Sequence, residues 1–232
     1  MSRCHSVSVG FTIKPRGRPA FDFPALTYYA ERPTDKTAFI TLFPIATGMR
    51  ANLFVYRDLD DPWLRLMRTE PQDTLFALMP SLHPLVGNFS VEDKVQIRPI
   101  DLDVTGGHRQ AGIVLVGDAF ATSCPAAGTG ARKVVNDVER LCNHHIPRWL
   151  ATPGMEAAKI AAFYDDPVKR ACDAFSAGKA LKIKAASLNT GLAADLRRRA
   201  KFILHAARGA LRAALRTGAT TPAAPQTLRR AA

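Results

Sequence analysis

The part of the chain with the clearest capacity for chemistry is residues 117–141, GDAFATSCPAAGTGARKVVNDVERL. Gly117 and Asp118 end an apolar run, and Gly128 and Gly130 precede a stretch with helical periodicity. A helix that begins at Gly130 presents free amides and a positive end, which favour a phosphate or an electron-rich carbonyl. The Asp118 carboxylate is placed to accept hydrogen bonds from ligand hydroxyls. A strand followed by Gly-Asp and a turn also occurs with a purely structural role. A ligand site and a structural turn therefore both stay open.

Two predicted elements hold these residues in place. Residues 113–116, Ile-Val-Leu-Val, form a continuous apolar run, which predicts a strand buried on both faces in an α/β layer. After the loop that contains Pro125, a helix is predicted to begin near Gly130. Its apolar stripe is expected to hold Val134, Val138, Leu141 and His145, with Arg132, Asp137 and Arg140 outside it. A ligand then lies at the carboxyl end of the strand, near the start of the helix.

This stretch resembles the second flavin-binding motif of FAD-dependent monooxygenases of the para-hydroxybenzoate hydroxylase type. That motif is an apolar strand, Gly-Asp-Ala, a loop ending in Pro, Gly-x-Gly, and a helix that bears an Asp. The same parts occur here in register, with Ala119 after the Gly-Asp pair and Asp137 as the helix acid. The resemblance implies that FAD is contacted by Gly117, Asp118, Pro125, Gly128, Thr129, Gly130 and Ala131, and that Asp118 holds its ribityl chain.

The resemblance also implies an activity. In the family, NADH or NADPH reduces FAD, and oxygen is transferred to a small organic substrate, with the flavin carrying the chemistry. The sequence nominates no catalytic acid or base. Within the motif, the family often has His and Asn at two positions where this chain has Ala121 and Arg132.

The family motif that receives the ADP pyrophosphate, Gly-x-Gly-x-x-Gly after an opening strand, does not occur in this sequence. The resemblance therefore covers about the second half of a family member. One expectation is a truncated or split FAD-dependent oxidoreductase, completed by a chain that carries the missing half. The alternative is a non-catalytic remnant or accessory subunit without independent flavin binding.

The other patterns predict a mixed α/β (α+β) fold in three parts. Residues 1–100 are expected to form an antiparallel sheet like the substrate domain of the family, with strands at residues 5–13, 25–30, 37–43, 50–56 and 91–100. Asp61-Pro62 and Glu70-Pro71 each predict the start of a short helix. Residues 101–190 are expected to be a partial FAD-binding segment, with further helices at residues 154–164 and 168–188.

The third part, residues 191–232, is expected to be a basic amphipathic C-terminal helix with a frayed tail. Residues 197–230 hold nine Arg and Lys and no acid, in a chain whose net charge is +12. A helix packed along its leucines with a solvated arginine face is favoured over contact with a membrane surface. Nucleic-acid binding is disfavoured, because no aromatic residues are interleaved with the basic ones.

Composition predicts a folded protein that resides in the cytoplasm. Hydrophobic residues make up 47% and charged residues 22%, which excludes disordered and collagen-like classes. No apolar run has membrane-spanning length, and no signal-peptide pattern opens the chain. The four cysteines, among them Cys124 as a loop filler, are predicted to be reduced, mostly buried thiols, and no metal site is predicted. His144-His145 are expected to pack or cap, and Asp165-Asp166 to cap a helix.

Overall fold

The computed structural model describes residues 2–191, together with Leu196, Ala200 and Leu204. The chain divides into two compact units, Met1–Asn189 and Thr190–Ala232. All the elements named in this subsection belong to the first unit. The basic residues of the predicted C-terminal helix lie outside the described residues, so that helix stays a prediction.

A six-stranded antiparallel sheet forms the first part of the chain, and this confirms the predicted mixed α/β class. Its strands are β1 (Ser2–Pro15), β2 (Leu26–Tyr29), β3 (Thr37–Ile45), β4 (Gly48–Val55), β5 (Phe89–Val91) and β6 (Gln96–Leu102). The order across the sheet is β2-β3-β4-β1, and β5 and β6 pair in turn with the other edge of β1. β3 and β4 form a tight hairpin in which Ile45 pairs with Gly48.

The single strand predicted over residues 91–100 is wrong, because the chain leaves the sheet between β5 and β6. There the Asp93 carboxylate replaces a backbone partner of β1. It accepts hydrogen bonds from Thr12 N at 2.7 Å and from Thr12 Oγ1 at 2.9 Å. Glu92 N donates to Thr12 O at 2.9 Å. A side chain thus satisfies the edge of β1 where no strand residue does.

Three helices cover one face of the sheet: α1 (Pro62–Thr69), α2 (Pro71–Leu78) and α3 (His83–Val86). Asp61 caps α1 as predicted, since its carboxylate accepts a hydrogen bond from Trp63 N at 2.9 Å. Leu75 and Leu78, on the inner face of α2, are buried. With the alternate residues of β1 they form the largest apolar core, which includes Val7, Val9, Phe11, Ile13, Leu64, Met67, Leu75, Leu78 and Met79.

The second half of the unit is helical, with α4 (Gly130–Arg140), α5 (Ile146–Leu150), α6 (Ala157–Tyr164) and α7 (Pro167–Leu188). A π-helical turn, Leu141–His145, joins α4 to α5. The sequence predicted that α6 begins at residue 154, whereas it begins at Ala157. Part of α7 packs with residues 124–127 against the other side of the sheet, in a cluster that contains Ala38, Phe54, Tyr56, Cys124 and Ala180.

Asp166 is the helix cap predicted for the start of α7. Its Oδ1 accepts hydrogen bonds from Val168 N at 2.8 Å and Lys169 N at 3.2 Å. Its Oδ2 accepts from the Arg140 guanidinium and lies 3.0 Å from His145 Nε2. Burial acts to raise the pKa of Asp166, but the hydrogen bonds from Arg140, His145 and the two amides outweigh it and lower the pKa well below its ordinary value. His145 is therefore a packed residue of this network, as predicted.

The buried strand predicted for residues 113–116 is wrong. These residues are irregular, and Val116 is extended at φ −122° and ψ 157° without pairing to a strand. Three of the four pack on one side against α5 and α6, while Ile113 is 56% exposed. Residues 113–116 are apolar and partly packed, but no strand in the described part of the chain pairs with them.

Only part of the apolar stripe predicted for α4 faces the core: Leu141 and His145, in the π-helical turn that follows, are packed, but Val134 and Val138 are not. Val134 and Val138 are 41% and 43% exposed, whereas Asp137, predicted outside the stripe, is fully buried. Lys133 is also buried. The helix is turned this way because its charged side chains pair with charges on α7, and these pairs occupy the inner face.

The four cysteines, Cys4, Cys124, Cys142 and Cys172, are free, as predicted, but the prediction that most are buried is wrong, since only Cys124 is buried and Cys142 is exposed. Cys124 is buried in the loop before α4, with its Sγ 3.5 Å from Ser6 Oγ. Among the residues that the structure describes, no helix combines the length and apolar character needed to cross a bilayer.

Candidate functional site

The Gly117-Asp118 turn is fixed against α4 by a backbone hydrogen bond and a close approach. Residues Gly117–Ala119 form a 3-10 turn, and Gly117 N donates to Asp137 Oδ2 at 2.8 Å. The φ of Gly117 is +57°, and a Cβ atom there would lie 2.5 Å from Val134 Cγ2. Only glycine fits at this position, because any side chain would meet both backbone strain and a clash.

A buried charge cluster lies behind the turn. Lys169 Nζ donates to Asp137 Oδ1 at 3.0 Å, to Asp137 Oδ2 at 3.1 Å and to Asp173 Oδ2 at 3.2 Å. The ammonium also lies 4.2 Å from the centre of the Phe120 ring, and the Lys169 and Asp137 side chains have no exposed area. Asp137 therefore joins the turn to α7 through one carboxylate.

Lys133 supports the same loop from α4. Its ammonium donates to Ala121 O and lies 3.8 Å from Asp173 Oδ1. Burial lowers the pKa of Lys133, while Asp173 acts to raise it. Lys133 and Lys169 were not predicted from the sequence, because neither is part of a recognisable motif. Only the fold brings Lys169 to Asp137.

The two carboxylate oxygens of Asp118 differ in their surroundings. Its Oδ1 accepts a hydrogen bond from Ser123 N at 3.0 Å, which closes the loop. Its Oδ2 has no hydrogen-bond partner within residues 2–191, and the residue is exposed. One oxygen thus serves the structure, and the other remains available to a ligand.

The first turn of α4 leaves backbone amides free for a ligand. The Thr129 hydroxyl lies 2.7 Å from Ser176 Oγ on α7, so it does not cap the helix. The amides of Gly130, Ala131 and Arg132 consequently have no hydrogen-bond acceptor in the described structure. Gly128, with φ +60°, has no atom within 4 Å of where its Cβ would be, so its backbone is approachable.

Ser123 brings the two parts of the predicted site together. Its amide contacts Asp118, and its Cβ lies 3.7 Å from where a Cβ on Gly130 would be. The Ser123 hydroxyl is buried and has no hydrogen-bond partner. Of the seven predicted flavin contacts, Asp118, Pro125, Gly128 and Ala131 are exposed, Gly130 is half-buried, and Gly117 and Thr129 are buried.

A separate cleft of about 890 Å³ lies beside α7. Its walls include Leu102, Val104, Phe120, Lys133 and Tyr164, but none of the seven predicted flavin contacts. The cleft and the predicted flavin contacts are therefore distinct features of the surface.

Solved structures share the fold of this chain. The p-nitrophenol 4-monooxygenase PnpA of Pseudomonas putida superposes with a TM-score of 0.57 and 17% identity, over 84% of this chain and 48% of that one. A variant of the halogenase PltM in complex with FAD superposes with a TM-score of 0.54 and 10% identity, over 80% of this chain and 38% of that one. A flavin-dependent brominase superposes with a TM-score of 0.50 and 15% identity, over 69% of this chain and 39% of that one. No protein-family model and no curated protein matches the sequence.

The chain shares its fold with these three structures over the matched regions. The chain spans less than half the length of each of these three structures. Identities of 10–17% establish the fold alone.

Proposed function

We propose that this chain supplies part of the flavin site of an FAD-dependent oxidoreductase, monooxygenase-like in its reaction and acting on a small organic substrate. The observation that carries the proposal is the combination at one loop of a free Asp118 carboxylate oxygen and three unpartnered amides at the start of α4. A ligand that carries hydroxyls together with a carbonyl or phosphate needs a hydroxyl acceptor and several amide donors side by side. FAD is such a ligand, with its ribityl hydroxyls and its carbonyl-bearing ring.

The residues present fit the ribityl and ring portions of FAD. Asp118 Oδ2 accepts hydrogen bonds from ribityl hydroxyls, and the amides of Gly130 and Ala131 donate to an electron-rich carbonyl. The approachable backbone at Gly128 lets the ring come close, and Pro125 and Thr129 shape the same loop. When bound, FAD supplies the redox chemistry, with NADH or NADPH as the electron donor.

The rest of the chain holds this loop rigid. The ion pair between Lys169 and Asp137 fixes Gly117 N, and Lys133 fixes Ala121 O. These groups act on the protein side of the loop, because they are buried behind it. Their role in the proposal is to orient Asp118 and the start of α4.

The ADP pyrophosphate needs donors that the described residues do not gather, since the sequence has no Gly-x-Gly-x-x-Gly turn. We therefore propose that a complementing segment supplies them. The alternative, a non-catalytic remnant or accessory subunit, is favoured by one observation: the bond from Ser123 N gives Asp118 a structural role that needs no flavin.

The proposal is tested by titrating the ¹⁵N-labelled chain with FMN, which has the ring and ribityl chain of FAD but no ADP. We expect amide shift changes at Asp118 and at residues 130–132, with a dissociation constant of about 1 mM, equivalent to about −4 kcal/mol. ADP is the comparison ligand: its phosphates can shift the amides of residues 130–132 through the positive helix end, but only FMN is expected to shift the amide of Asp118 as well. Equal changes with both ligands, or none at this loop, would overturn the proposal.

A further inference from the structure

The cleft beside α7 has a lysine side chain in its wall. The cleft measures about 890 Å³, and apolar side chains from separate parts of the chain line it, among them Leu102, Val104, Phe120 and Leu181. Lys133 lies in the same wall, and its side chain is 2% exposed. A lysine that is shielded from water beside apolar side chains has the environment of a nucleophile rather than of a surface charge.

Lys133 is bonded less completely than the neighbouring buried lysine. Lys169 lies outside the cleft wall and donates three hydrogen bonds, to both oxygens of Asp137 and to Asp173 Oδ2. Lys133 donates to one acceptor among the described residues, Ala121 O. Its Nζ lies 3.8 Å from Asp173 Oδ1, which is buried and has no hydrogen-bond partner. The Lys133 amine therefore has bonding capacity left, and a free carboxylate oxygen lies beside it.

The surroundings of Lys133 favour its free amine more than water does. Burial lowers the pKa of Lys133, and Asp173 acts to raise it. The smaller effects of Asp118 and Asp137 also raise the pKa, and that of Lys169 lowers it further. The free amine is the nucleophilic form of lysine, and its fraction at neutral pH rises about tenfold for each unit by which the pKa falls.

We propose that Lys133 is a covalent binding site for a small apolar aldehyde or ketone, which it holds as an imine in the cleft beside α7. Asp173 Oδ1 takes a proton from the ammonium, and the amine nitrogen bonds to the carbonyl carbon. A proton passes from this nitrogen to the carbonyl oxygen, which gives a carbinolamine. The Asp173 carboxyl group then protonates the carbinolamine hydroxyl, which leaves as water while the C=N bond forms. The ammonium and the carbonyl compound become a protonated imine and water, with no oxidation or reduction.

The protonated imine fits its surroundings. It keeps one N–H, which is enough for the bond that Lys133 makes to Ala121 O, so the loop keeps this support. Its positive charge lies beside the Asp173 carboxylate, as that of the ammonium did. The rings of Phe120 and Tyr164, whose centres are 4.7 Å apart, both line the cleft. An aromatic aldehyde can pack against them.

This inference goes beyond the proposed function. None of the seven predicted flavin contacts lines the cleft, and imine formation needs no flavin. The FMN titration and the experiment below therefore succeed or fail independently of each other.

The test is reductive trapping of the full chain with benzaldehyde and sodium cyanoborohydride at neutral pH. Cyanoborohydride reduces a protonated imine to a stable benzyl-lysine, which peptide mass spectrometry locates. Lys169 is the control for burial outside the cleft, and Lys179 is the control for an exposed lysine on α7. We expect Lys133 to be benzylated at least about 10-fold faster than either control lysine. Trapping in urea should remove this preference, because it depends on the fold.

Two variants separate the parts of the site. Asp173→Asn removes the proton acceptor at nearly constant size and should slow benzylation of Lys133 at least about 10-fold, while Lys179 is unaffected. Ala174→Trp fills the cleft from an exposed position on α7 and should slow it by a similar factor, with no charge changed. Thermal unfolding shows that each variant folds, and the comparison of the three lysines in the wild type decides the outcome if one does not.

The contrary results are equally specific. Benzylation of Lys133 no faster than that of Lys179 would overturn the proposal, as would equal benzylation of Lys169. A preference for Lys133 that survives in urea would show that it does not come from the cleft. Folded Asp173→Asn or Ala174→Trp with an unchanged rate at Lys133 would also contradict the proposal.

Discussion

Lys169 is the residue on which the geometry of the loop depends most, because its ammonium is fully buried between Asp137 and Asp173. Lys169→Met leaves the Asp137 carboxylate buried without its cation. We expect the free energy of unfolding to fall by about 3–5 kcal/mol. Urea denaturation measures it.

The double variant Lys169→Met/Asp137→Leu separates the pair from the individual side chains. It should lose less than the sum of the two single variants by about 1–3 kcal/mol, because no uncompensated charge remains at Asp137. Arg109→Met is the control, since its pair with Asp165 is exposed and its effect should be far smaller. Strict additivity would show that the buried pair does not act as a unit.

His5 gives the molecule a dependence on pH. The residue is fully buried beside Tyr56, and burial, followed by the charge of Lys184, lowers its pKa against an opposing contribution from the Ala180 backbone. The folded state therefore favours neutral His5. Below about pH 6.5 the unfolded chain binds more protons, so stability is lost as the pH falls.

The expected loss is about 1.4 kcal/mol for each unit by which folding lowers this pKa. It is measured as the unfolding free energy at pH 7.5 and pH 5.0, for the wild type and for His5→Phe. The variant should depend less on pH over this interval. An equal dependence in both proteins would contradict the role of His5.

At the scale of elements, the packing of the Gly117 turn on α4 is testable with two glycines of similar φ. Gly117→Ala adds backbone strain and a clash with Val134, whereas Gly128→Ala adds strain alone, because nothing lies near it. Strain in the left-handed region costs about 1–2 kcal/mol. We expect Gly117→Ala to be the more destabilising in thermal and urea unfolding.

The variant Gly117→Ala/Val134→Ala removes the clash and should approach the stability of Gly128→Ala. If the two single glycine variants were equally stable, the turn would not press against α4 as the structure shows. Gly128→Ala also serves as a control for the general effect of a new methyl group in this loop.

Elements whose signals are local were predictable from the sequence. Asp61-Pro62 and Asp166-Pro167 each combine a cap and a proline at the first helical position, and α1 and α7 begin there. Alternation of apolar and polar residues predicted β1, and aromatic and β-branched residues over strand length predicted β3 and β4. The break between β5 and β6 was missed, since it depends on Asp93 reaching Thr12 from a distant part of the chain.

The orientation of α4 and the state of residues 113–116 were not predictable from periodicity. Periodicity identifies an apolar face but not what covers it. Here the charged face is buried because Lys169 and Asp173 come from more than 30 residues away to pair with it. The start of α4 and the exposure of Asp118 were predictable, because glycines and a helix onset are local signals.

At the scale of the whole molecule, the chain matches less than half of each similar structure. We expect the purified chain to bind FAD more weakly than 1 µM, because the pyrophosphate gains no dedicated donors. Equilibrium dialysis measures this. A submicromolar constant would show that the chain alone contains a complete site.

Asp118 provides the most direct measurement of the central claim. The wild type and Asp118→Ala are each supplied, by fusion or co-expression, with the half that carries the Gly-x-Gly-x-x-Gly turn. The FAD dissociation constant and the free energy of unfolding are then determined on the same preparations. A hydrogen bond to a charged acceptor contributes about 1.5–3 kcal/mol. We therefore expect Asp118→Ala to bind FAD about 10- to 150-fold more weakly than the wild type does. Loss of the Ser123 hydrogen bond should lower stability by only about 1 kcal/mol. A destabilised variant with undiminished affinity would contradict the assignment of this loop to flavin.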